Sequence, residues 1–358
     1  MKVLVDAVGC GNGGISTYVV NLLRHWHVEF PDDELRVLLG DQDMQVARPG
    51  VTVSRVSVPR PDLLWRPVVE TRAVRRIART WRPDAIIAAR PSTTLLGVDV
   101  PLVVVVHDLR HELRPEQFPA SRRAIRTLSY RRAYAVARGY VCISQRTLTD
   151  FHNLHPRLRS RPAVVVHHGA DHVADWPRTS VEPYVIAFGH HSNKNVEMVL
   201  EAWRDLIAAG VVTASTPRLN IVGLTEQSRT ELDGLVGDLG IRAHVVLSPY
   251  LADDDFHALM VGCAVVLFPS DFEGFGLPVV EGMQLGKPVV VGPDEAIREV
   301  AQGHATMMAG FTAPALADAI RAALSESPEA IAAARDYAAS FTWARAARQT
   351  REFLLTLG

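Results

Sequence analysis

At 358 residues the chain is too long for one ordinary core and suits two domains of about 150–200 residues each. Its 48% apolar and 22% charged composition is that of a globular protein with a large core, and a net charge of −1 excludes a globally driven nucleic-acid partner. Three cysteines (Cys10, Cys142 and Cys263), far apart and with no CxxC pair, exclude a disulfide framework and a thiolate zinc site and fit a reducing compartment. The charge is uneven all the same: Arg60 to Arg138 holds 16 arginines against 7 acidic residues.

The N-terminal MKVLVDAVGCG is too short an apolar run for a secretory signal and reads as a first buried strand, Lys2–Val8. Gly9-Cys10-Gly11-Asn12-Gly13-Gly14-Ile15-Ser16 follows it and opens a helix, Ile15–His27. Gly9, Gly11 and Gly14 match G-x-G-x-x-G, and Asp41 stands where a ribose carboxylate could, although its 27-residue distance from Gly14 exceeds the usual spacing of about 20. Three readings stay open here: a nicotinamide-dinucleotide fingerprint, a glycine loop that brings backbone N–H groups to another phosphate, and a tight turn without ligand.

Leu35–Gly40, Ala85–Ala88 and Leu102–Val106 continue as strands, β-branched and short, with helices between them. That pattern means a parallel sheet covered on both faces. His107-Asp108-Leu109 ends the last of these strands. His107 and His111 are spaced i, i+4, but they leave a strand in a charged loop with no third ligand, so no metal is expected. A membrane span is not expected either, because the purest apolar run, Pro101–Val106, is far below the roughly 20 residues it needs.

The polar, His-rich stretch Val166–Ser180 reads as a linker, His167-His168 included. A second series then begins with strand Tyr184–Gly189 and a helix from Asn195, strand Leu219–Gly223 and a helix from Glu226, and strands His244–Leu247, Ala264–Pro269 and Pro288–Gly292. The expected fold is therefore α/β with two Rossmann-like, doubly wound halves. Open parallel sheets bind ligands beyond the carboxyl ends of their strands, so two such sheets facing each other predict a deep cleft between the domains.

Ser270-Asp271-Phe272-Glu273-Gly274-Phe275-Gly276-Leu277-Pro278-Val279-Val280-Glu281-Gly282-Met283 follows the strand Ala264–Pro269. Pro278 suits the first turn of a helix, placing Glu281 in or just beyond that turn and Glu273 on the loop before it. Gly274 and Gly276 free backbone N–H groups at the helix start, where an anion or sugar hydroxyls can bind. Glu273 and Glu281 then form E-x7-E in the phrase E-G-F-G-L-P-x-x-E-G-M.

This phrase resembles the retaining glycosyltransferases of the GT-B fold, family 4 (glycosyl transferases group 1). The likeness runs from Gly13-Gly14-Ile15 to Phe341-Thr342-Trp343. It implies an acceptor-binding domain over 1–170, a nucleotide-sugar-binding domain over 171–340, and a last helix, 341–358, crossing back to the first domain. It implies transfer of a hexosyl or related sugar from a UDP- or GDP-type donor to a glycan, lipid-linked glycan or small natural product, with retention, no metal and no separate cofactor. By resemblance Glu281 holds the donor ribose and Glu273 the donor sugar, with Phe275, Gly276 and Leu277 beside it. Gly13 and Gly14 approach the donor phosphate, Lys194 stabilises the departing diphosphate, and His107 donates a hydrogen bond to the leaving phosphate or orients the sugar. Tyr250 and Leu251, in Ser248-Pro249-Tyr250-Leu251, resemble the family's nucleobase-contacting loop, and Ile143-Ser144 a strand-and-turn signature without chemistry. The chain departs from the family near Lys194, where His190 and Asn193 occupy places that usually hold an arginine.

The arginines of Arg114–Arg138, among them Arg122, Arg123, Arg126, Arg131 and Arg132, either meet anionic lipid head groups or an anionic acceptor, or form a solvated face. The location that follows is cytoplasmic, with peripheral contact at the inner membrane face, and no nucleic-acid partner is expected. Three rivals are an NAD-dependent oxidoreductase using Gly9, Gly11 and Gly14, a nucleotide-sugar 2-epimerase, and a non-catalytic partner subunit of the same fold.

Overall fold

A parallel strand buried on both faces must be apolar throughout, and the runs AIIA, LVVVV and YVIAF become fully buried strands in the computed structural model, which describes residues 1–11, 13–41, 44, 46, 49–213 and 218–358. The chain separates into two units, Met1–Gly169 with Thr342–Gly358 and Ala170–Phe341.

In the first unit seven parallel strands lie in the order β3-β2-β1-β4-β5-β6-β7, with β1 Lys2–Asp6, β2 Glu34–Gly40, β3 Val51–Val56, β4 Ala85–Ala88, β5 Leu102–Val106, β6 Gly139–Cys142 and β7 Ala163–Val165. In the second unit six parallel strands lie in the order β10-β9-β8-β11-β12-β13, with β8 Tyr184–Phe188, β9 Arg218–Leu224, β10 Val245–Pro249, β11 Val265–Phe268, β12 Val289–Val291 and β13 Thr306–Met307. Each order runs outward from a central strand, back to it, and away on the other side. The reversal falls between β1 and β4 in one sheet and between β8 and β11 in the other.

Four strands were not expected. β3 is a half-exposed edge strand of sequence VTVSRV, and β7 and β13 are only three and two residues long. β6, although buried, begins with a glycine and is four residues long. The expected linker is not a plain linker: Asp171–Asp175 forms a turn of 3₁₀ helix, and His172, Val173 and Trp176 are buried.

The helix Trp343–Leu355 belongs to the first unit, where it packs on the helix Gly14–Glu29. Trp343, Ala346, Ala347, Thr350, Phe353 and Leu354 form its buried stripe at helical spacing, and Thr342 caps it by accepting from the Arg345 N–H. Its polar anchor is Asp33, buried at 3% side-chain exposure. Asp33 accepts from Arg351 Nε at 2.8 Å and from Trp26 Nε1 at 3.0 Å, and it pairs with the Met1 amino group. Burial alone would raise this carboxyl, but the hydrogen bonds from Arg351, the chain terminus and Trp26 outweigh it and hold the pKa below the ordinary aspartate value.

Asp33→Asn should therefore cost about 1–3 kcal/mol, measured as a fall in thermal midpoint at pH 7, because three donors lose an ionised partner. The contribution is present above the unfolded aspartate pKa of about 3.9 and is lost as pH falls through the depressed folded value, so the gap between wild type and variant should narrow as pH is lowered below the unfolded value.

Candidate functional site

Where the strand order reverses, the loops leaving two neighbouring strands part to opposite sides and open a crevice at the carboxyl edge of the sheet. In the second unit these loops follow β8 and β11. The first carries His190, Asn193 and Lys194, and the second carries Glu273.

The two loops are joined by side chains. Lys194 Nζ lies 2.6 Å from Glu273 Oε1, and its side chain is 4% exposed against 15% for Glu273. The ammonium also sits 3.8 Å from the centre of the Phe268 ring, at the end of β11. Asn193 Nδ2 donates to Glu273 Oε1 and to the Phe272 carbonyl, both at 2.9 Å. The Asp271 N–H returns a bond to the Asn193 carbonyl at 3.1 Å, and Asn195 Nδ2 donates to the Pro269 carbonyl at 2.8 Å. Lys194 and Glu273, expected to meet different parts of one ligand, thus form an ion pair with each other. A buried ammonium needs such a counter-charge.

At one of the two places where the related pattern holds an arginine, Asn193 is 3% exposed and bonded between the loops. His190 is half-buried, 4.8 Å from the His191 ring and 6.4 Å from Tyr250. Tyr250, following edge strand β10, is exposed, and Leu251 is half-buried.

The helix Leu277–Gln284 starts at Gly276, whose φ of 90° lies in the left-handed region. A Cβ there would stand 2.4 Å from Ile297 Cδ1, so only glycine fits. Gly274, Phe275 and Leu277 are buried around this turn, with the Phe275 ring 6.0 Å from Phe341. Glu281 is 5% exposed and meets His172 Nε2 at 3.1 Å through Oε1. The His172 ring stands edge-on to Trp176, which stacks on His257 at 4.3 Å. Neither His172 nor Trp176 is signalled in the sequence, where both fall in a stretch that reads as a linker.

In the first unit the glycine loop leaves β1. Gly13, with φ 110°, precedes the helix Gly14–Glu29, whose first turn has no acidic residue and no side-chain cap. A Cβ at Gly11 or Gly13 would meet nothing within 4 Å, so the loop is open on that side. Asn12 lies outside the described residues, and Asp41 is exposed.

His107, at the end of β5, is 9% exposed, and its Nε2 lies 2.8 Å from the Ala89 carbonyl. A carbonyl only accepts, so Nε2 carries the proton; burial pushes the imidazole pKa down and keeps the ring neutral. Nδ1 is then an acceptor. In that tautomer Nδ1 can take a hydrogen bond from a hydroxyl. His168 is not linker chemistry: it is 3% exposed and stacks on Trp343 at 5.5 Å, with Tyr18 at 5.1 Å. His111 turns instead to the Tyr130 ring at 4.8 Å. Among the described residues no group of three metal-ligating side chains is brought together, and no helix is long and apolar enough to cross a membrane.

Residues 174–340 match the model of "Glycosyl transferases group 1" and residues 12–173 that of "Glycosyltransferase Family 4". An MMP alpha-(1->4)-mannosyltransferase of Mycolicibacterium hassiacum is 34% identical over 124 residues, 32% of this chain and 30% of that protein. A D-inositol 3-phosphate glycosyltransferase of Mycolicibacterium paratuberculosis is 32% identical over 158 residues, 42% of this chain and 34% of that one. The matched segment spans about a third of each of these relatives' length. Among solved structures, Anabaena HepE in complex with UDP superimposes with a TM-score of 0.76 at 19% identity, covering 99% of this chain and 100% of that one. WaaG, a glycosyltransferase involved in lipopolysaccharide biosynthesis, does so with a TM-score of 0.72 at 16% identity, covering 99% of each chain. The fold is GT-B.

Asn193→Ala removes the donor shared by Phe272 and Glu273 and should lower stability by about 1–3 kcal/mol in thermal denaturation. Asn193→Arg should cost at least as much, because the larger cation is forced into the filled space beside Lys194.

Proposed function

We propose that this chain, which belongs to the group 1 (family 4) glycosyltransferases, transfers a hexosyl or related sugar from a nucleoside diphosphate sugar to an acceptor. The observation that carries this reading is the joining of Lys194 and Glu273 at 2.6 Å on the two loops that flank the reversal in the second sheet, with Glu281 on the helix that follows.

The chemistry needed is the departure of a nucleoside diphosphate from an anomeric carbon. Negative charge grows on the leaving phosphate while the sugar acquires oxocarbenium character, and a fixed cation on that phosphate lowers the barrier. We assign that cation to Lys194. When the donor enters, its diphosphate takes over the ammonium, and Glu273, still held by Asn193, turns its carboxylate to the sugar hydroxyls. Glu281 holds the ribose hydroxyls, with His172 fixing the orientation of its carboxylate. The backbone around Phe275 and Gly276 lines the sugar, and Tyr250 and Leu251 meet the base, a uracil or guanine. Gly13 and Gly14 offer N–H groups to the phosphate, and the His107 Nδ1 accepts from a sugar hydroxyl. Retention at the anomeric carbon and a positive charge supplied by side chains and backbone, without a metal, complete the proposal. HepE is solved with UDP, UDP and glucose, and UDP-glucose, which supports a uridine donor among the alternatives.

Calorimetric titration with UDP, GDP, ADP and NAD tests it. One nucleoside diphosphate should bind, at least tenfold more weakly in Lys194→Ala and in Glu281→Ala, a loss of about 1.4 kcal/mol or more. Binding of NAD alone, indifferent to both substitutions, would overturn the reading in favour of the first-unit glycine fingerprint.

A further inference from the structure

The first unit contains a cavity of 170 Å³ that none of the assigned donor residues lines. Its walls include Arg66, Arg90, Arg126, Ser92, Ser129 and Tyr130. Arg66 comes from the helix Asp62–Trp81, Arg126 and Ser129 from the helix Ala120–Val136, and Arg90 from the turn after β4. That turn is at the reversal of the first sheet, where a ligand is expected on topological grounds. Arg90 Nη1 donates to the Gly9 carbonyl of the glycine loop at 2.9 Å, and the neighbouring Ala89 carbonyl receives His107. The Arg122 side chain lies outside the described residues.

The charges around this cavity do not balance. Arg66 pairs with Asp62 at 2.7 Å, but the Asp62 side chain is 65% exposed. Glu70, fully buried behind the arginines, accepts from Ser92 Oγ at 2.9 Å through Oε2, and its Oε1 has no hydrogen-bond partner among the described residues. Burial and the nearby Asp6 push the Glu70 carboxyl up to about 8, against the opposing pull of Arg90 and Arg66, which favours its neutral form. Arg90 Nε is also buried without a hydrogen-bond partner among the described residues. Three guanidiniums thus line the cavity, with the Asp62 and Asp6 carboxylates nearby, and an entering anion would offset the positive charge concentrated there.

We propose that this cavity binds a phosphate or comparable anionic group carried by the acceptor, next to the glycine loop and His107. The proposal rests on the transferase reading above. The anion is either that of a soluble phosphorylated acceptor or a lipid head group; Leu64, Trp65 and Leu128, exposed on the same two helices, give the second source a place to lie.

The test titrates the full chain with inorganic phosphate and with sulfate at fixed ionic strength, using wild type, Arg66→Gln, Arg126→Gln and, as control, Arg131→Gln, an exposed arginine on the same helix as Arg126. One site is expected, weakened at least tenfold in the first two variants and unchanged in the third, with thermal midpoints confirming that all are folded. In parallel, sedimentation with phosphatidylglycerol and phosphatidylcholine vesicles separates the sources. Vesicle binding that falls in the same two variants identifies a lipid-borne anion, and anion binding without vesicle binding identifies a soluble one. Phosphate binding equal in all four proteins, or absent from a wild type that still binds a nucleoside diphosphate, would overturn the cavity proposal alone. Phosphate binding at the cavity in a protein that binds no nucleoside diphosphate would overturn the transferase reading and, with it, the assignment to an acceptor.

Discussion

A lysine buried to 4% cannot stay charged without a partner, and the second unit is arranged around supplying one. The parallel sheet brings the loops after β8 and β11 side by side, Asn193 ties them together, and Glu273 meets Lys194. Gly276 then turns the chain sharply enough to start a helix that carries Glu281 on the same edge. Each of these depends on the strand reversal, because no other place in an open parallel sheet offers two diverging loops from adjacent strands. The ion pair thus ties the two loops together across the reversal.

The first unit uses its own reversal differently. The glycine loop after β1 is open, while the turn after β4 is crowded by Arg90, Ser92 and the helix bearing Arg66. Behind this turn the Glu70 carboxyl and Asp6 are buried close to the Arg90 guanidinium. The second unit resolves its buried charge internally; the first leaves a positive excess that faces a cavity.

Much of this was legible in the sequence because it follows from local rules. Unbroken β-branched runs announced β4, β5, β8 and β11, and the phrase from Glu273 to Glu281 fixed a loop and a helix start through its glycines and Pro278. What escaped had no local signature. β3 mixes valines with Thr52, Ser54 and Arg55 and is only partly buried, and β13 is too short to show a period. His172 sits in a stretch that reads as a linker, and only the fold brings it 109 residues along the chain to Glu281. The arginines of the cavity come from two helices and a turn; in the sequence they were visible only as a charge excess. Asn193 was legible as a departure from a pattern, but its role in joining two loops required both loops to be seen.

The first unit is not continuous. Its helix Trp343–Leu355 is encoded after the whole of the second unit, yet its buried stripe belongs to the first unit's core and its Arg351 to Asp33. During synthesis, residues 1–169 therefore emerge with the helix Gly14–Glu29 uncovered and Asp33 short of its guanidinium, and they wait through the making of 172 residues for the segment that completes them. The second unit, Ala170–Phe341, has every strand and helix it needs as soon as it leaves the ribosome. The half that is second in the sequence is thus the first that can finish folding, and the apolar face of the earlier half remains exposed until the helix Trp343–Leu355 arrives.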